Sequence, residues 1–510
     1  MDFNDMKIDR RKLVGLMAAS AAGPAYATAA FAATTPNALR VVIVGGGMAG
    51  ATAAKYLKYW AKMYDPNWNV SVTLIEKNAS TFYFSNIRSN EALVGAITAD
   101  SLKYTYAKLL TDYGVTVAAK TVASVDVVNK KVKCTDNSFY AYDRLILAAG
   151  IDFDYSPERL GITLSGTGAS WNLLPHAWDG TVRTNGKTQI EILKTQLTNM
   201  LDGSRVIISI PPKPYRCPPG PYERACVIAD WLKSKKPQSK VIVLDANTGP
   251  VVDGYGPLPI VEPKTFGKAF GIYPGSNQIH KNYIEYYPST RITSVEFKAN
   301  NQKVVRATNT ASGATLTFGD TNAGQKAVNV VNVIPPMKAG KIVIDVLKAD
   351  NGLSPTKPSG LDAAGLWAPV NEATYESSIP YYAGIHIIGD SQASGQPKAG
   401  HIGNQEGKVV ADAILRAASG RPLCAAPETN SACFTPITTP AGNNGPTASW
   451  LTAIYRYQED TTTTPPGPSK MRMVSGDGIN ASEPIGGWTG DNYDNMTKWF
   501  TALMQDVSFK

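Results

Sequence analysis

Histidine and cysteine are scarce in this chain, with four and five residues respectively among 510. The cysteines, Cys134, Cys217, Cys226, Cys424 and Cys433, form no Cys-x-x-Cys pair and no cluster with histidine. That spacing argues against a metal site, and none is expected. A Cys-x-x-Cys-His stretch is also missing, so no haem is expected to be attached to this chain. Beyond the N-terminal segment no apolar run approaches the length that spans a bilayer. The net charge of +9 is not gathered into a Lys/Arg cluster, which leaves nucleic-acid binding without support.

One glycine-rich turn is present where two would be normal for a chain that binds two nucleotides. Arg40–Val44 reads as a buried parallel strand, followed by Gly45-Gly46-Gly47-Met48-Ala49-Gly50 and a helix start of small residues. Gly45, Gly47 and Gly50 fit the G-x-G-x-x-G spacing, and the next strand, Val70–Ile75, ends in Glu76, placed for a ribose hydroxyl. Strand, glycines, helix, strand and acid in that order predict a dinucleotide site. A second βαβ unit runs from Val206–Ile210 through a helix near Tyr222–Lys233 to Val241–Asp245. Its turn carries Pro211, Pro212, Pro214, Cys217, Pro218 and Pro219 before Gly220. Prolines remove N–H donors and fix the backbone, so this turn cannot cradle a pyrophosphate as glycines do. Thiol chemistry is expected where a nicotinamide nucleotide would otherwise bind.

The expected organisation is α/β, with two Rossmann-like domains of the glutathione-reductase type and a loop-rich C-terminal interface domain. Residues 1–33 read as a twin-arginine signal, with Arg10-Arg11 before a mildly apolar run and Ala30-Phe31-Ala32 as a cleavage site, which predicts export to the periplasm. Residues 38–155 and 291–420 are assigned to the two parts of a first nucleotide domain. Residues 156–290 form the second, degenerate one, and 421–510, rich in Thr, Pro, Asn and Gly, the C-terminal domain. Tyr142–Gly150 is a strand into a small-residue turn at which the chain passes a cofactor, and Gly389-Asp390 follows another buried strand. With the first loop, Asp390 favours FAD over NAD as the tightly held ligand. The candidate cofactor contacts are Gly45, Gly47, Met48, Ala49, Gly50, Glu76, Val122, Ala149, Gly150, Asp390 and Lys398.

The run Tyr215-Arg216-Cys217-Pro218-Pro219-Gly220-Pro221-Tyr222-Glu223-Arg224-Ala225 resembles the signature of the flavoprotein subunit of flavocytochrome c sulfide dehydrogenase. Leu174–Trp178, Val333–Pro336, Glu376–Ile379, Ile385–Asp390 and Gln405–Lys408 add to the resemblance, which covers most of residues 38–460. It implies a redox-active disulfide between Cys217 and Cys433, the latter within Asn430-Ser431-Ala432-Cys433-Phe434, and an acid/base at Glu223. It further implies sulfide as reductant and a c-type cytochrome, carrying the haem, as partner. Glu223 is equally placed as a first-turn acid favoured by the helix dipole. Cys424 could compete for Cys433, whereas Cys226 lies roughly 13 Å along the helix from Cys217. Where the family tethers its flavin through a cysteine, residues Thr81–Asn90 hold none, so FAD is expected to be non-covalent. Two alternatives share this scaffold: a sulfide:quinone reductase anchored by the stripe Met496, Trp499, Phe500, Leu503, Met504 and Val507, or a dehydrogenase of an organic substrate.

Overall fold

The computed structural model describes residues 38–80, 82–83, 88–180, 186–250, 265–272, 278–350, 356–461, 463–476 and 488–509. The proposed signal segment and residues 84–87 of the tether loop lie outside them. In chain order the elements that build the site are β1 (Leu39–Val44), α1 (Met48–Tyr64), β2 (Val70–Ile75), the short α2 (Ser89–Val94) and β3 (Arg144–Leu147). Next come β4 (Arg205–Ile210), α3 (Gly220–Lys235), β5 (Lys240–Asp245) and β6 (Val328–Val333). The chain ends with β7 (Ile385–Ile387), α4 (Gly400–Ala418), β8 (Glu428–Thr438), β9 (Thr447–Asp460), β10 (Gly467–Gly476) and α5 (Gly490–Asp506).

Two twisted sheets carry the two nucleotide domains. In the first, β7, β3, β1 and β2 lie side by side and pair in parallel. β1 is buried along both faces, which its unbroken Val-Val-Ile-Val run predicts for a parallel strand covered by helices. α1 packs on α4 at very short range because Gly407 and Gly403 meet it. A β-carbon on Gly407 would stand 2.7 Å from the Ala49 carbonyl oxygen, so the small residues of both helices set their spacing. In the second sheet β4 pairs in parallel with β5 on one side and β6 on the other.

The sequence boundary at 290/291 does not hold. Thr290–Phe297, Lys303–Asn309 and β6 are all strands of the second sheet, so the second domain continues to about Pro336 before the chain returns. Alternating short strands read alike in either domain; only their pairing assigns them.

The C-terminal region is likewise not loop-rich. β8, β9 and β10 make a three-stranded antiparallel sheet, and α5 packs on β8 and β9. Phe434 stacks on Trp450 at 5.5 Å, with Met496 buried beside them. Thr- and Asn-rich stretches hid strands whose β-branched threonines suit a pleated surface. The stripe on α5 is core: Met496, Phe500, Met504 and Val507 are buried, and Asp506 accepts hydrogen bonds from Tyr56 and Asn404 and pairs with Lys408 at 2.9 Å. Among the described residues no helix is long and apolar enough to cross a membrane.

Candidate active site

Two glycines of the first cradle could not be replaced by anything larger. Gly45 has φ +103°, and a β-carbon there would fall 2.5 Å from the Ala148 carbonyl oxygen. One on Gly50 would collide with the Gly45 carbonyl, which fixes the close strand–helix packing. Gly47 differs: its missing β-carbon would meet only Phe82 Cζ, at 4.0 Å, so this side of the turn is open. α1 starts there with Met48 and Ala49 in its first turn, no side-chain cap and no acidic residue, leaving its N–H groups for an anion. Glu76 receives the N–H of Gly46 at 2.8 Å and of Asn78 at 3.0 Å, which orients its carboxylate at the mouth of the cradle. These features fit a dinucleotide pyrophosphate and ribose.

Ala149 and Gly150 are half-exposed after β3, where Gly340 approaches closely and donates its N–H to the Gly150 carbonyl at 2.9 Å. Asp390 lies beyond β7 and Gly389, the latter at φ +72° with its N–H donated to Glu406. Burial raises the pKa of Asp390, while Arg216 and Lys398 pull it back. Lys398 is less available than expected: its ammonium donates to the carbonyls of Asp390 at 3.0 Å and Gln392 at 2.6 Å and lies 3.9 Å from the Trp367 ring centre. It holds the Asp390 turn, and burial lowers its pKa to about 8. Val122 begins a separate three-stranded sheet, pairs with Cys134 there and packs its side chain on the core.

The proline turn delivers Cys217 to the start of α3. Cys217 adopts φ +58°, a left-handed conformation unusual for a side-chain-bearing residue. Its own N–H donates to the Lys398 carbonyl at 2.7 Å, so the thiol turn of the second domain is tied to the segment that follows Asp390. The Gly220 N–H and the Arg216 charge favour the Cys217 thiolate, while burial and the Glu223 and Asp390 carboxylates oppose it and win, pushing the thiol up. Cys433, on β8, is pushed well up as well, first by burial and then by Glu223 and Cys217. The two cysteines, remote in sequence, thus share the influence of one carboxylate, Cys217 also acts on Cys433, and both are partly exposed. They stand unbridged, as thiols; the disulfide suggested by the resemblance is not formed in this structure.

Glu223, which acts on both cysteines, is fully buried, and desolvation raises its pKa to about 8, with Thr435 and Arg224 pulling it down. Asn90 approaches its Oε2 at 3.5 Å, whereas Oε1 has no partner at hydrogen-bond distance, nor does the Thr435 hydroxyl. Cys226 is wholly buried in the core, Cys424 is exposed beyond α4, and Cys134 is a buried strand residue, so none of them joins the cluster.

Several supporting residues escaped the sequence reading. Arg224 is buried and donates to Asn90 Oδ1 at 3.1 Å, the carbonyls of His176 at 2.6 Å and Ala177 at 2.8 Å, and Asn332 Oδ1 at 2.9 Å. Trp178 lies over its guanidinium at 4.4 Å and donates its ring N–H to the Arg216 carbonyl at 3.0 Å. A β-carbon on Gly220 would stand 2.9 Å from both Cys217 Sγ and the Trp178 ring, so the sulfur is walled in. The only advance sign of this was that Leu174–Trp178 and Arg224 fell within the quoted signature.

Among the described residues the acid of the nicotinamide position is already engaged. Asp245 ends β5 where a ribose-binding acid would stand. Its Oδ2 receives the hydroxyls of Tyr222 and Tyr286, each at 2.7 Å, and its Oδ1 the N–H and side-chain amide of Asn247. Among the described residues a cavity of about 20 Å³ lies beside Pro211, Pro212 and Ala246, too small for a nucleotide.

Two family models match in succession. Residues 39–189 match the pyridine nucleotide-disulphide oxidoreductase family, and residues 190–255 the central region of the sulfide dehydrogenase [flavocytochrome c] flavoprotein chain. A rubredoxin-NAD(+) reductase of Pseudomonas putida is 28% identical over 113 residues, 22% of this chain and only 28% of the reductase. The sulfide:quinone oxidoreductase of Aquifex aeolicus superposes with a TM-score of 0.61 at 15% identity, covering 92% of this chain and 91% of that one. A chain of the Tetrahymena thermophila mitochondrial ATP synthase model gives 0.53, also at 15% identity, over 84% and 88%. At these identities the structural likeness establishes the fold: two Rossmann-like domains in tandem.

Proposed function

We propose that this chain is an FAD-dependent sulfide dehydrogenase that passes electrons from sulfide through Cys217 and Cys433 to FAD, and from there to a c-type cytochrome in the periplasm. Its coarser part, a flavin-dependent oxidoreductase with two dinucleotide-binding domains, rests on the fold together with the two matched family regions. The observation that carries the finer part is the meeting of Cys217, Cys433 and Glu223 beside Asp390, on a turn that has no place for a nicotinamide nucleotide.

Gly45, Gly47, Met48, Ala49 and Gly50 would hold the pyrophosphate, Glu76 the ribose and Asp390 the ribityl chain. FAD, when bound, supplies a two-electron acceptor. In the oxidised protein hydrosulfide attacks Cys433 Sγ of a Cys217–Cys433 disulfide: a new S–S bond forms, the old one breaks, and its electron pair leaves on Cys217 as thiolate. Cys217 is taken as the leaving sulfur: burial pushes its thiol up, but the Arg216 charge and the Gly220 N–H favour its thiolate, and the Asp390 carboxylate is among the charges that act on it. A second hydrosulfide takes the outer sulfur from Cys433, leaving both cysteines reduced as a dithiol. That dithiol closes again to the disulfide as its two electrons pass on. Glu223, raised to about 8, accepts or returns the proton that accompanies these changes.

Anaerobic titration of the FAD-loaded protein with sulfide tests the reading: flavin absorbance should bleach in proportion to sulfide, and an unchanged spectrum would overturn it. A quinone acceptor is the second reading, favoured by the overlay with the Aquifex enzyme. The buried stripe of α5 is not free to serve as its anchor. Sedimentation of the protein with membranes, and reduction of a soluble quinone in preference to cytochrome c, would favour that acceptor.

A further inference from the structure

β8 carries a row of hydroxyl and thiol groups that the scheme above uses only at one end. In a strand alternate side chains share a face, about 7 Å apart from i to i+2. Thr429, Ser431, Cys433 and Thr435 therefore point the same way, across the junction of the two nucleotide domains. The contacts agree: Thr429 receives the Gln396 side chain, Ser431 Oγ lies 2.7 Å from His401 Nε2, and Thr435 acts on both Cys433 and Glu223. Cys433 is thus flanked by two hydroxyls: Thr435, which favours the charged form of the buried Glu223, and Ser431, hydrogen-bonded to the partly exposed His401.

We propose that His401 and Ser431 form a proton relay between Cys433 and solvent, a role that rests on the sulfide–dithiol reading of the site. The relay answers a specific need. When the outer sulfur departs from Cys433, the S–S bond breaks with its electron pair left on Cys433 Sγ. That sulfur is a poor thiolate, so a proton must reach it. Later, as the dithiol closes, the same proton must leave. Glu223 acts on both sulfurs but is sealed from solvent, so it cannot itself exchange that proton with the outside. His401 sits in the first turn of α4, its ring edge-on to Trp499 of α5 at 5.8 Å, with one nitrogen on Ser431. Desolvation lowers its pKa to about 4, so the imidazole stays neutral and takes up a proton at one nitrogen while releasing one from the other. From Ser431 the remaining step of about 7 Å along the strand face is the reach of one bridging water or of a sulfur added to Cys433.

The test uses the FAD-loaded protein and its sulfide turnover. His401→Ala should slow turnover at least ~10-fold, the lower range of lost proton-transfer catalysis, and imidazole in the buffer should restore much of the rate. Ser431→Ala should slow it similarly without rescue by imidazole, while Ser431→Thr, which keeps the hydroxyl, should stay near wild type. Should His401→Ala lose flavin or fold poorly, His401→Asn with the same measurement replaces it. Turnover of His401→Ala and Ser431→Ala within twofold of wild type, or a slow, flavin-loaded His401→Ala that imidazole leaves unchanged, would overturn the relay. If Cys433→Ser itself turned over normally, the sulfide–dithiol reading would be what fails.

Discussion

The backbone N–H of Cys217 is held 2.7 Å from the Lys398 carbonyl oxygen, and that bond joins the two nucleotide domains at their most consequential point. Lys398 in turn grips the Asp390 turn, so one short chain of contacts runs from a thiol of the second domain to the candidate flavin acid of the first. Thiol and cofactor site are registered to each other through main-chain atoms, which side-chain substitution does not remove. Cys217→Ser should therefore leave flavin binding and chemical reduction by dithionite intact while sulfide-driven flavin reduction drops to background. Stopped-flow absorbance of the flavin measures both, and wild-type sulfide rates in this variant would remove the sulfur from the electron path.

Gly47→Ala separates the cradle's ligand role from its structural one. Its φ of −68° is ordinary, and the added methyl meets only Phe82 at 4.0 Å. Stability of the flavin-free protein should change by about 1 kcal/mol or less. Affinity for FAD should fall at least ~10-fold, because the methyl intrudes where the pyrophosphate approaches the helix start. Urea unfolding and fluorescence titration give the two numbers; unchanged FAD affinity would place the dinucleotide elsewhere.

Folding stability should lose ground with rising pH because of Glu223. Its carboxyl is raised from 4.5 to about 8, so across that window the native state keeps a proton that the unfolded chain releases. The contribution is fully present below about 4.5 and lost as pH passes 8. Glu406, raised to about 8 by burial, adds a slope of the same sign. Glu223→Gln should flatten the decline without abolishing it, which urea midpoints between pH 5 and pH 8.5 would reveal. A variant whose midpoints track wild type across that range would mean that Glu223 is charged in the native state.

Arg224→Lys is expected to cost about 3 kcal/mol, the scale of breaking a buried, hydrogen-bonded charge network. The guanidinium fork serves Asn90, His176, Ala177 and Asn332 at once, and an ammonium cannot span those directions. Chemical denaturation gives the loss directly; a change below 0.5 kcal/mol, the range of an ordinary surface substitution, would show the network to be slack.

Flavin tethering has a simple check. No cysteine stands between Gly47 and Lys133, and the remaining cysteines are either thiols of the proposed relay or remote from the cradle. Denatured, desalted protein should therefore come off the column colourless, with the yellow fraction behind it; colour on the chain would mean a covalent link through another side chain.

Local order was the legible part of the sequence. Gly45-x-Gly47-x-x-Gly50 followed by Glu76 announced the cradle because each residue type there answers a backbone requirement met within one βαβ unit. The proline turn announced its own unfitness for a phosphate for the same reason. The meeting of Cys217 with Cys433 could not be read from spacing, since it depends on β8 crossing from one domain to the other, and only the family resemblance suggested it. Strands 291–335 were given to the wrong domain because only pairing assigns them, and the C-terminal sheet was missed because its strands carry Thr and Asn at positions that propensity alone reads as loop. Arg224 and Asn332 are polar residues made internal by mutual hydrogen bonds, a condition that exists only after folding.

Asp245, saturated by Tyr222, Tyr286 and Asn247, bears on any attempt to redesign this scaffold as a nicotinamide-driven reductase. Swapping glycines for the prolines of the thiol turn would not be enough, because the acid that should greet the incoming sugar already has both oxygens engaged. Freeing it means removing two phenols, one of them beside Glu223 in the helix that supports the sulfur chemistry. Electron entry by hydride and the proposed electron entry by sulfur would therefore compete for the same few residues.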